Sequence, residues 1–476
     1  MSTEDVAKAI ADAKEVLGPR VRRRRRSPVP EIDQAIAAIN KKHALVLMGG
    51  RCLVLRETQS AESKTEIEFL APPDFRLWFS QVKYWNGGPK PEPIGSIWLD
   101  HPNRRQYSGV VFAPEGAPEG HYNLWHGFDV SARYEDPYKA FPVFRDHIAT
   151  NIAGGNEELA QHVWGWFAHM FQRPTERLGT SLVLRGIEGT GKTKVGEVIG
   201  SLISHHYLLV DEPRYITGQF NAHLANCLLL QADEGFWAGD RQAEGRLKSL
   251  ITSHRHMIER KGVDPVPVRN LVRLLVTSNN DWVVPVGMQG RRFMVVDVGE
   301  AAAQNAEYFA EIDAEMANGG REALLYHLLH FDLTKVNLRR IPVTAALVEQ
   351  KISTLEPHAQ WFLDRLRHGT PTANHSLWPE RVSTDLVYSS YLHFTERMGI
   401  NRKLSPEQFG IALRKLMPDG GLQRTRPWEN VADPVTGSVS RKRVNCYSLP
   451  SLEQCRSKFE ERMHWSIDWA EGEESD

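Results

Sequence analysis

The chain has 476 residues, 41% of them hydrophobic and 25% charged, with a formal net charge of −1. That length exceeds what one hydrophobic core organises and suits roughly three globular units, and near-neutrality excludes an overall basic field as the means of holding a nucleic acid, leaving local basic patches. No apolar run approaches the roughly 20 residues of a membrane span, no signal-peptide core opens the chain, and Cys52, Cys227, Cys446 and Cys455 lack paired or metal-ligand spacing. A reducing cytoplasm is the expected location.

Residues 1–40 read as a basic flexible segment. Met1 to Leu17 has the makings of a short helix, and Gly18-Pro19 then leads into five consecutive arginines, Arg22 to Arg26. Such a run repels itself and stays solvated, serving either as a phosphate-binding tether or as a plain linker. Residues 41–150 read as an accessory α+β domain. Ala44-Leu45-Val46-Leu47 and Cys52-Leu53-Val54-Leu55 flank Gly49-Gly50 as a hairpin. Further apolar and aromatic pieces fall at Phe75 to Phe79, Gly109 to Phe112 and Tyr122 to Trp125, with Pro- and Gly-rich loops at 87–95 and 113–120. His121, His126 and His147 have no ligand spacing and suggest no metal site.

Residues 151–310 carry the clearest chemistry. Leu159, Val163, Trp166, Phe167 and Met170 recur at helical spacing over Glu157 to Gln172, behind a candidate N-cap at Asn156. Next come the apolar Ser181 to Leu184, the loop Gly186-Ile187-Glu188-Gly189-Thr190-Gly191-Lys192-Thr193, and a predicted helix from Lys194 to Ile203. This is a complete G-x-x-x-x-G-K-[ST] pattern at a strand-to-helix junction. Its backbone amides suit phosphate oxygens, Lys192 suits the β/γ phosphates of ATP, and the Thr193 hydroxyl suits Mg²⁺.

Four more apolar strands follow, at Tyr207 to Val210, Cys227 to Asp233, Leu271 to Thr277 and Phe293 to Val298, so a five-stranded parallel sheet is expected. Asp233 closes the third strand as the Mg²⁺-associated carboxylate, and Glu234 beside it is placed to orient or deprotonate the attacking water. Asn279, past the end of the fourth strand, is a candidate γ-phosphate or water contact. Arg291 and Arg292 precede the fifth strand, and one of them is the candidate arginine finger; in trans it requires an oligomer, most naturally a ring. Between Glu234 and Leu271, a helix over Gln242 to Thr252 carries Arg246 and Lys248. Met257 to Val268 then reads as a hairpin whose tip holds Arg260 and Lys261, a candidate track for a phosphate backbone.

Residues 311–370 are expected to form a helical bundle from Arg321 to Phe331, Thr344 to Leu355 and His358 to Arg367. Residues 371–460 read as a winged-helix-like DNA-binding domain. A helix over Asp385 to Met398 precedes a capping box at Ser405-Pro406-Glu407-Gln408, and a ribbon is flanked by Arg424, Arg426 and Arg441-Lys442-Arg443. Residues 461–476 read as an acidic tail.

The phosphate loop, the acidic strand end, the basic hairpin, Thr277-Ser278-Asn279-Asn280 and Arg291-Arg292-Phe293 together resemble the superfamily 3 helicases. Residues from about 44 to 365 resemble more closely the helicase part of phage and plasmid primase-helicase proteins. The shared stretches are Tyr122-Asn123-Leu124-Trp125, Phe220-Asn221-Ala222-His223-Leu224, Ile258-Glu259-Arg260-Lys261-Gly262 and Ser278-Asn279-Asn280-Asp281-Trp282. The resemblance implies an AAA+-type P-loop ATPase that assembles as a hexamer and moves along single-stranded DNA in a bacterial host cell. It puts Lys192, Thr193, Asp233, Glu234, Asn279 and an arginine at 291–292 in the nucleotide site, and Arg260 and Lys261 toward the channel. Many relatives carry a primase-polymerase domain ahead of the helicase. About 150 residues precede the ATPase here, with no convincing acidic pair on a strand, so primer synthesis is expected from a separate primase or polymerase. Two functions stay open: a replicative helicase acting on single-stranded and forked DNA, and a DNA-binding ATPase switch that does not unwind processively.

Overall fold

The computed structural model describes residues 29–59, 65–212, 214–218, 221–233, 241–260, 263–280, 292–417, 421–432, 439–463, 465–467 and 469. The expected N-terminal helix, the arginine run, Glu234, Lys261, Arg291 and the acidic residues 471–476 lie outside them.

Helix α1 (Val29–Asn40) opens the first unit, followed by β1 (His43–Met48), β2 (Arg51–Gln59), β3 (Thr65–Leu70), α2 (Pro72–Trp78), α3 (Ile94–Asp100) and β4 (Gln106–Tyr107). The sheet order is β3-β2-β1-β4. The expected hairpin forms, with Met48 opposite Arg51 and both turn glycines left-handed, at φ 56° and 74°. A two-residue turn of that hand matches the twist of its strands. One expectation changes here. The expected flexible segment, residues 1–40, ends in a packed helix: Ile32, Ala35, Ile36 and Ile39 of α1 share one helical stripe and are buried in a core with Phe75, Ile94 and Trp98. The apolar and aromatic piece Phe75 to Phe79 forms the end of α2 and its C-cap, Phe79, in a helix started by Pro72-Pro73 at its first positions.

Strands β5 (Gly109–Val111) and β6 (His121–Asn123) pair in parallel and lead to α4 (Glu157–Gln172). Asn156 caps α4 as expected, accepting from the Leu159 amide at 3.0 Å. The core that holds α4 also holds Phe112, Tyr122, Leu124, Phe141, Phe144, Ile148 and Ile152, so the unit around α4 reaches back across the expected boundary at 150.

The chain then gives β7 (Ser181–Arg185), α5 (Lys192–Gly200), β8 (Tyr207–Val210), β9 (Leu229–Asp233), α6 (Arg241–Thr252), the hairpin β10 (Arg255–Arg260) and β11 (Val263–Arg269), β12 (Arg273–Ser278) and β13 (Phe293–Asp297). The five expected strands form one parallel sheet in the order β8-β9-β12-β7-β13. Alternate residues sort by face: Leu182 and Leu184 of β7 pack with α4 and α5, whereas Val183 packs with Leu247, Leu250 and Ile251 of α6. Helices therefore cover both faces, which is why the strands read as continuous apolar runs.

Helices α7 (Ala306–Glu315), α8 (Arg321–His330), α9 (Ala345–Ser353) and α10 (Pro357–His368) follow. They do not form the single expected bundle. Ala323, Leu324, Leu325 and Leu328 of α8 join the core around α4, Ala346 and Leu347 of α9 cover the opposite sheet face, and Trp361, Phe362 and Leu366 of α10 belong to the C-terminal core. Helix α4 is buried on nearly every side, and α8 supplies the cover that this requires.

The C-terminal unit contains β14 (Arg381–Ser383), α11 (Thr384–Arg397), α12 (Pro406–Leu416), β15 (Gln423–Thr425), the ribbon β16 (Trp428–Ala432) and β17 (Val439–Arg443), β18 (Cys446–Ser448) and α13 (Leu452–Met463). Its sheet runs β14-β18-β15, apart from the β16–β17 ribbon. The capping box at Ser405 is complete: the hydroxyl accepts from the Gln408 amide at 3.3 Å, and the Gln408 carbonyl oxygen accepts from the Ser405 amide at 3.1 Å. Met463, Trp465 and Ile467 are buried in this core, so folded structure continues beyond the expected start of the tail at 461.

Candidate functional site

The phosphate-type loop leaves β7 at Arg185. That guanidinium is bidentate to Asp297 at 2.5 and 2.8 Å and reaches Glu349 at 2.6 Å, pinning the carboxyl end of β7 to β13 and α9. The Asp297 bond, strengthened by Glu349, raises the arginine pKa further. Gly191 stands at φ 86°, and a Cβ there would meet ring carbons of His147 and Phe309 at 2.6 Å, so only glycine fits. Helix α5 begins immediately after it, with Lys192 and Thr193 in its first turn. Ile187 is half exposed and Glu188 and Gly189 lie at the surface, whereas Thr190 is buried and its hydroxyl donates to the Ile187 carbonyl at 3.0 Å. The Lys192 ammonium donates to the carbonyls of Gly186 at 2.8 Å and Ile187 at 2.6 Å, so it sits inside the curl of the loop.

Two strands away, Asp233 ends β9. One carboxylate oxygen accepts from the Thr193 hydroxyl at 3.1 Å and the other from the Thr277 hydroxyl at 2.6 Å. The lysine, the first-turn threonine and the acidic strand end, separated by 40 residues in sequence, thus meet at one end of the sheet. The register explains why: Asp233 lies beside Thr277, Thr277 beside Leu184, and Ser278 beside Arg185. The Gly186 amide donates to the Ser278 carbonyl at 3.2 Å, which puts the exposed Asn279 next to the first loop residue. A curled loop at a helix N-terminus, a central ammonium and a hydroxyl–carboxylate pair fit a nucleoside triphosphate with a divalent cation; Lys192 would hold the phosphates, Thr193 and Asp233 the cation.

Arg292 is at the other end. Its carbonyl accepts from the Ser181 amide, and Phe293 pairs with Ser181 while Asp297 pairs with Arg185. Four residue steps at ~3.3 Å put Arg292 about 13 Å or more from the loop of its own chain.

The sequence assigns no role to three supporting residues. Gln231 lies beneath α5, donating to the Thr193 carbonyl at 3.3 Å and accepting from the Tyr207 hydroxyl at 2.6 Å. It fits because residue 196 is glycine, where a Cβ would stand 1.7 Å from the Gln231 oxygen. Thr277 is the second support, fixing the Asp233 carboxylate. The third, His147, opens a π-helical turn (His147–Ile152) and is fully buried. Its Nε2 lies 3.3 Å from the Gly191 carbonyl, which can only accept, so Nε2 carries the proton; Nδ1 faces the Tyr308 hydroxyl at 3.2 Å and the Asn151 amide at 3.3 Å. Burial lowers its pKa and keeps the ring neutral.

The candidate nucleic-acid contacts fall on α6, on the β10–β11 hairpin and in the C-terminal unit. Lys248 is half-buried on α6, Arg260 ends β10 at the hairpin tip opposite Val263, and Arg424, Arg426, Arg441, Lys442 and Arg443 are exposed in the C-terminal unit. Among the described residues, no group of three His, Cys, Asp or Glu side chains could hold a metal ion, and no helix is long and apolar enough to cross a membrane.

Residues 184–292, which span the loop, the acidic strand end and the hairpin, match a family described only as a family of unknown function (DUF5906). The chain is 24% identical over 276 residues to the DNA primase-polymerase of Nitratiruptor phage NrS-1, an alignment covering 54% of this chain and 38% of that protein. The chain therefore matches well under half the length of this curated relative. Solved structures of the NrS-1 C-terminal region share the fold. One form superposes with a TM-score of 0.58 at 16% identity and another with 0.57 at 16%, each covering 87% of this chain and 98% of the other. The resemblance drawn from the motifs thus agrees with the fold: the chain is similar to a phage DNA primase-polymerase, over that protein's C-terminal region.

Proposed function

We propose that this chain is an ATP-driven replicative DNA helicase of phage or mobile-element type, which hydrolyses ATP between the subunits of a hexameric ring to move along single-stranded DNA and unwind forked duplex. The observation that carries the reading is the convergence of Lys192, Thr193 and Asp233 on one sheet end, with Thr277 fixing the carboxylate. Mg²⁺ held by Thr193 and Asp233 would neutralise charge that develops on the phosphates. Lys192 binds the β/γ oxygens, Glu234 orients or deprotonates the attacking water, and Asn279 contacts the γ-phosphate or that water. An arginine at 291 or 292 serves the neighbouring subunit. The β10–β11 hairpin, inserted between the acidic strand and β12, gives hydrolysis a segment to move. In this reading residues 371–460 form a winged-helix-like DNA-binding domain, and primers come from a separate primase or polymerase.

The test is strand displacement on 3′- and 5′-tailed forks with ATP, with assembly mass measured in the same buffer. Unwinding on one fork polarity, lost in Lys192→Ala and Glu234→Gln, is the expected result. ATP-dependent duplex binding without displacement on either fork would instead make the protein a DNA-binding ATPase switch, which the same catalytic residues would also serve.

A further inference from the structure

The basic run Arg441-Lys442-Arg443 reads as one patch in sequence, but the ribbon divides it. In an antiparallel ladder, directly opposed residues share a face and successive residues change face. Trp428 opposes Arg443 and Asn430 opposes Arg441, whereas Glu429 opposes Lys442 between them. One face therefore carries Trp428, Asn430, Arg441 and Arg443, and the other Glu429 and Lys442. A contact identifies the inner face: the Glu429 carboxylate accepts from the thiol of Cys446, a buried residue of the adjoining β18, at 3.5 Å. The opposite face looks outward, with Trp428 56% exposed, and with Asn430, Arg441 and Arg443 exposed beside it. The Arg443 guanidinium lies over the indole, 5.3 Å from the ring centroid.

An exposed indole flanked by two guanidiniums and a side-chain amide offers a stacking surface, phosphate donors and a base-edge partner together. We propose that the outer face of the β16–β17 ribbon holds an unstacked nucleobase of a single-stranded DNA arm. Trp428 stacks on the base, Arg441 and Arg443 take the flanking phosphates, and Asn430 meets the base edge. This rests on the reading of the chain as a DNA-binding ATPase and names the strand state that the ribbon selects. Bases inside a duplex are already stacked, so an indole gains little there, whereas a splayed base gains a partner. Lys442 stands apart from this surface because it lies on the other face of the ribbon, opposite Glu429.

The experiment measures the affinity of the full chain by fluorescence anisotropy for a labelled single strand, a fork with single-stranded arms and a blunt duplex of equal length, across a salt series. Trp428→Ala is expected to weaken single-strand and fork binding about tenfold and blunt-duplex binding less than about twofold, with Trp428→Phe recovering most of the loss. Arg441→Ala with Arg443→Ala should flatten the single-strand salt dependence by about 1.4, the share of two phosphate contacts. Lys442→Ala should weaken single-strand binding less than the loss of either arginine does. Equal loss on the blunt duplex in Trp428→Ala, or a Lys442→Ala effect matching that of the arginines, overturns the proposal. Wild-type affinity in every ribbon variant overturns it too, while leaving the motor reading in place if DNA still stimulates hydrolysis. A wild-type chain that binds none of the three DNAs removes both.

Discussion

The Asp233 carboxylate is held from both sides by hydroxyls, and the two hydroxyls differ in what they can do. Thr193 belongs to the phosphate loop's helix and can turn toward a cation, whereas Thr277 is fully buried in β12 and only fixes the carboxylate. Removing the Thr277 hydroxyl should therefore leave the cation site present but loosely aimed. A hydrogen bond to a charged group contributes about 1.5–3 kcal/mol, which is roughly 10- to 100-fold in a rate that depends on it. Thr277→Val is expected to lower the ATP hydrolysis rate by at least about tenfold and to raise the Mg²⁺ concentration needed for half-maximal activity, while Thr277→Ser stays near wild type. Steady-state hydrolysis titrated with Mg²⁺ checks this, and an unchanged Mg²⁺ dependence in Thr277→Val would refute it. At this scale the sequence points to the candidate site residues and hides those that hold them. Lys192 and Thr193 announce themselves through glycine spacing, and Asp233 through its place at an apolar strand end. His147 and Gln231 do not, because a histidine 44 residues from the glycine it supports, or a glutamine inside an apolar strand, belongs to no local pattern.

Among the elements, legibility follows burial. The five central strands are covered on both faces and so present unbroken apolar runs, and α4, with its Asn156 cap, shows a full helical period. The short segments fail for a physical reason: over five residues Phe75 to Phe79 fits either period, and the α1 stripe of Ile32, Ile36 and Ile39 is only three turns long and follows an arginine run. Strand order is also absent from the local pattern. It depends on pairings between residues about 90 to 110 apart, such as Val183 with Val276 and Val295. The contact between β9 and α5 shows how tightly one element fixes another. A methyl at position 196 would overlap the Gln231 oxygen at 1.7 Å and approach Leu275 at 2.9 Å. Gly196→Ala must then displace the Gln231 side chain, breaking its bond to the Thr193 carbonyl, or lift α5 from the sheet. Overpacking of this kind costs about 1–3 kcal/mol. The expected result is a lowered thermal midpoint together with weakened nucleotide binding, both partly restored in a Gly196→Ala, Gln231→Ala double variant. Additive losses in the double variant would show that the two residues do not couple.

For the whole molecule, the decisive geometry is that the two halves of the proposed hydrolytic machinery sit at opposite ends of one sheet. Lys192, Thr193 and Asp233 stand at the carboxyl ends of the strands, and Arg292 at the amino end of β13, about 13 Å or more away by strand rise. That separation exceeds an arginine side chain, so in the proposed reading Arg292 would serve the nucleotide of another copy, and the site would be completed between subunits. In a ring, Lys192→Ala removes the phosphate contact of its own subunit and leaves its finger intact for the neighbour, whereas Arg292→Ala does the reverse. Each variant alone should be inactive. Mixed before assembly, the two give some interfaces that pair a wild-type loop with a wild-type finger, and hydrolysis should reappear at about a quarter of the interfaces for an equal, random mixture. Hydrolysis measured against mixing ratio, with mass confirming co-assembly, separates the cases. Activity in Arg292→Ala alone would assign the finger to Arg291 or to another residue. Inactivity at every ratio, with mixed rings formed, would mean that hydrolysis needs neighbouring interfaces to act together, or that the site does not lie between subunits.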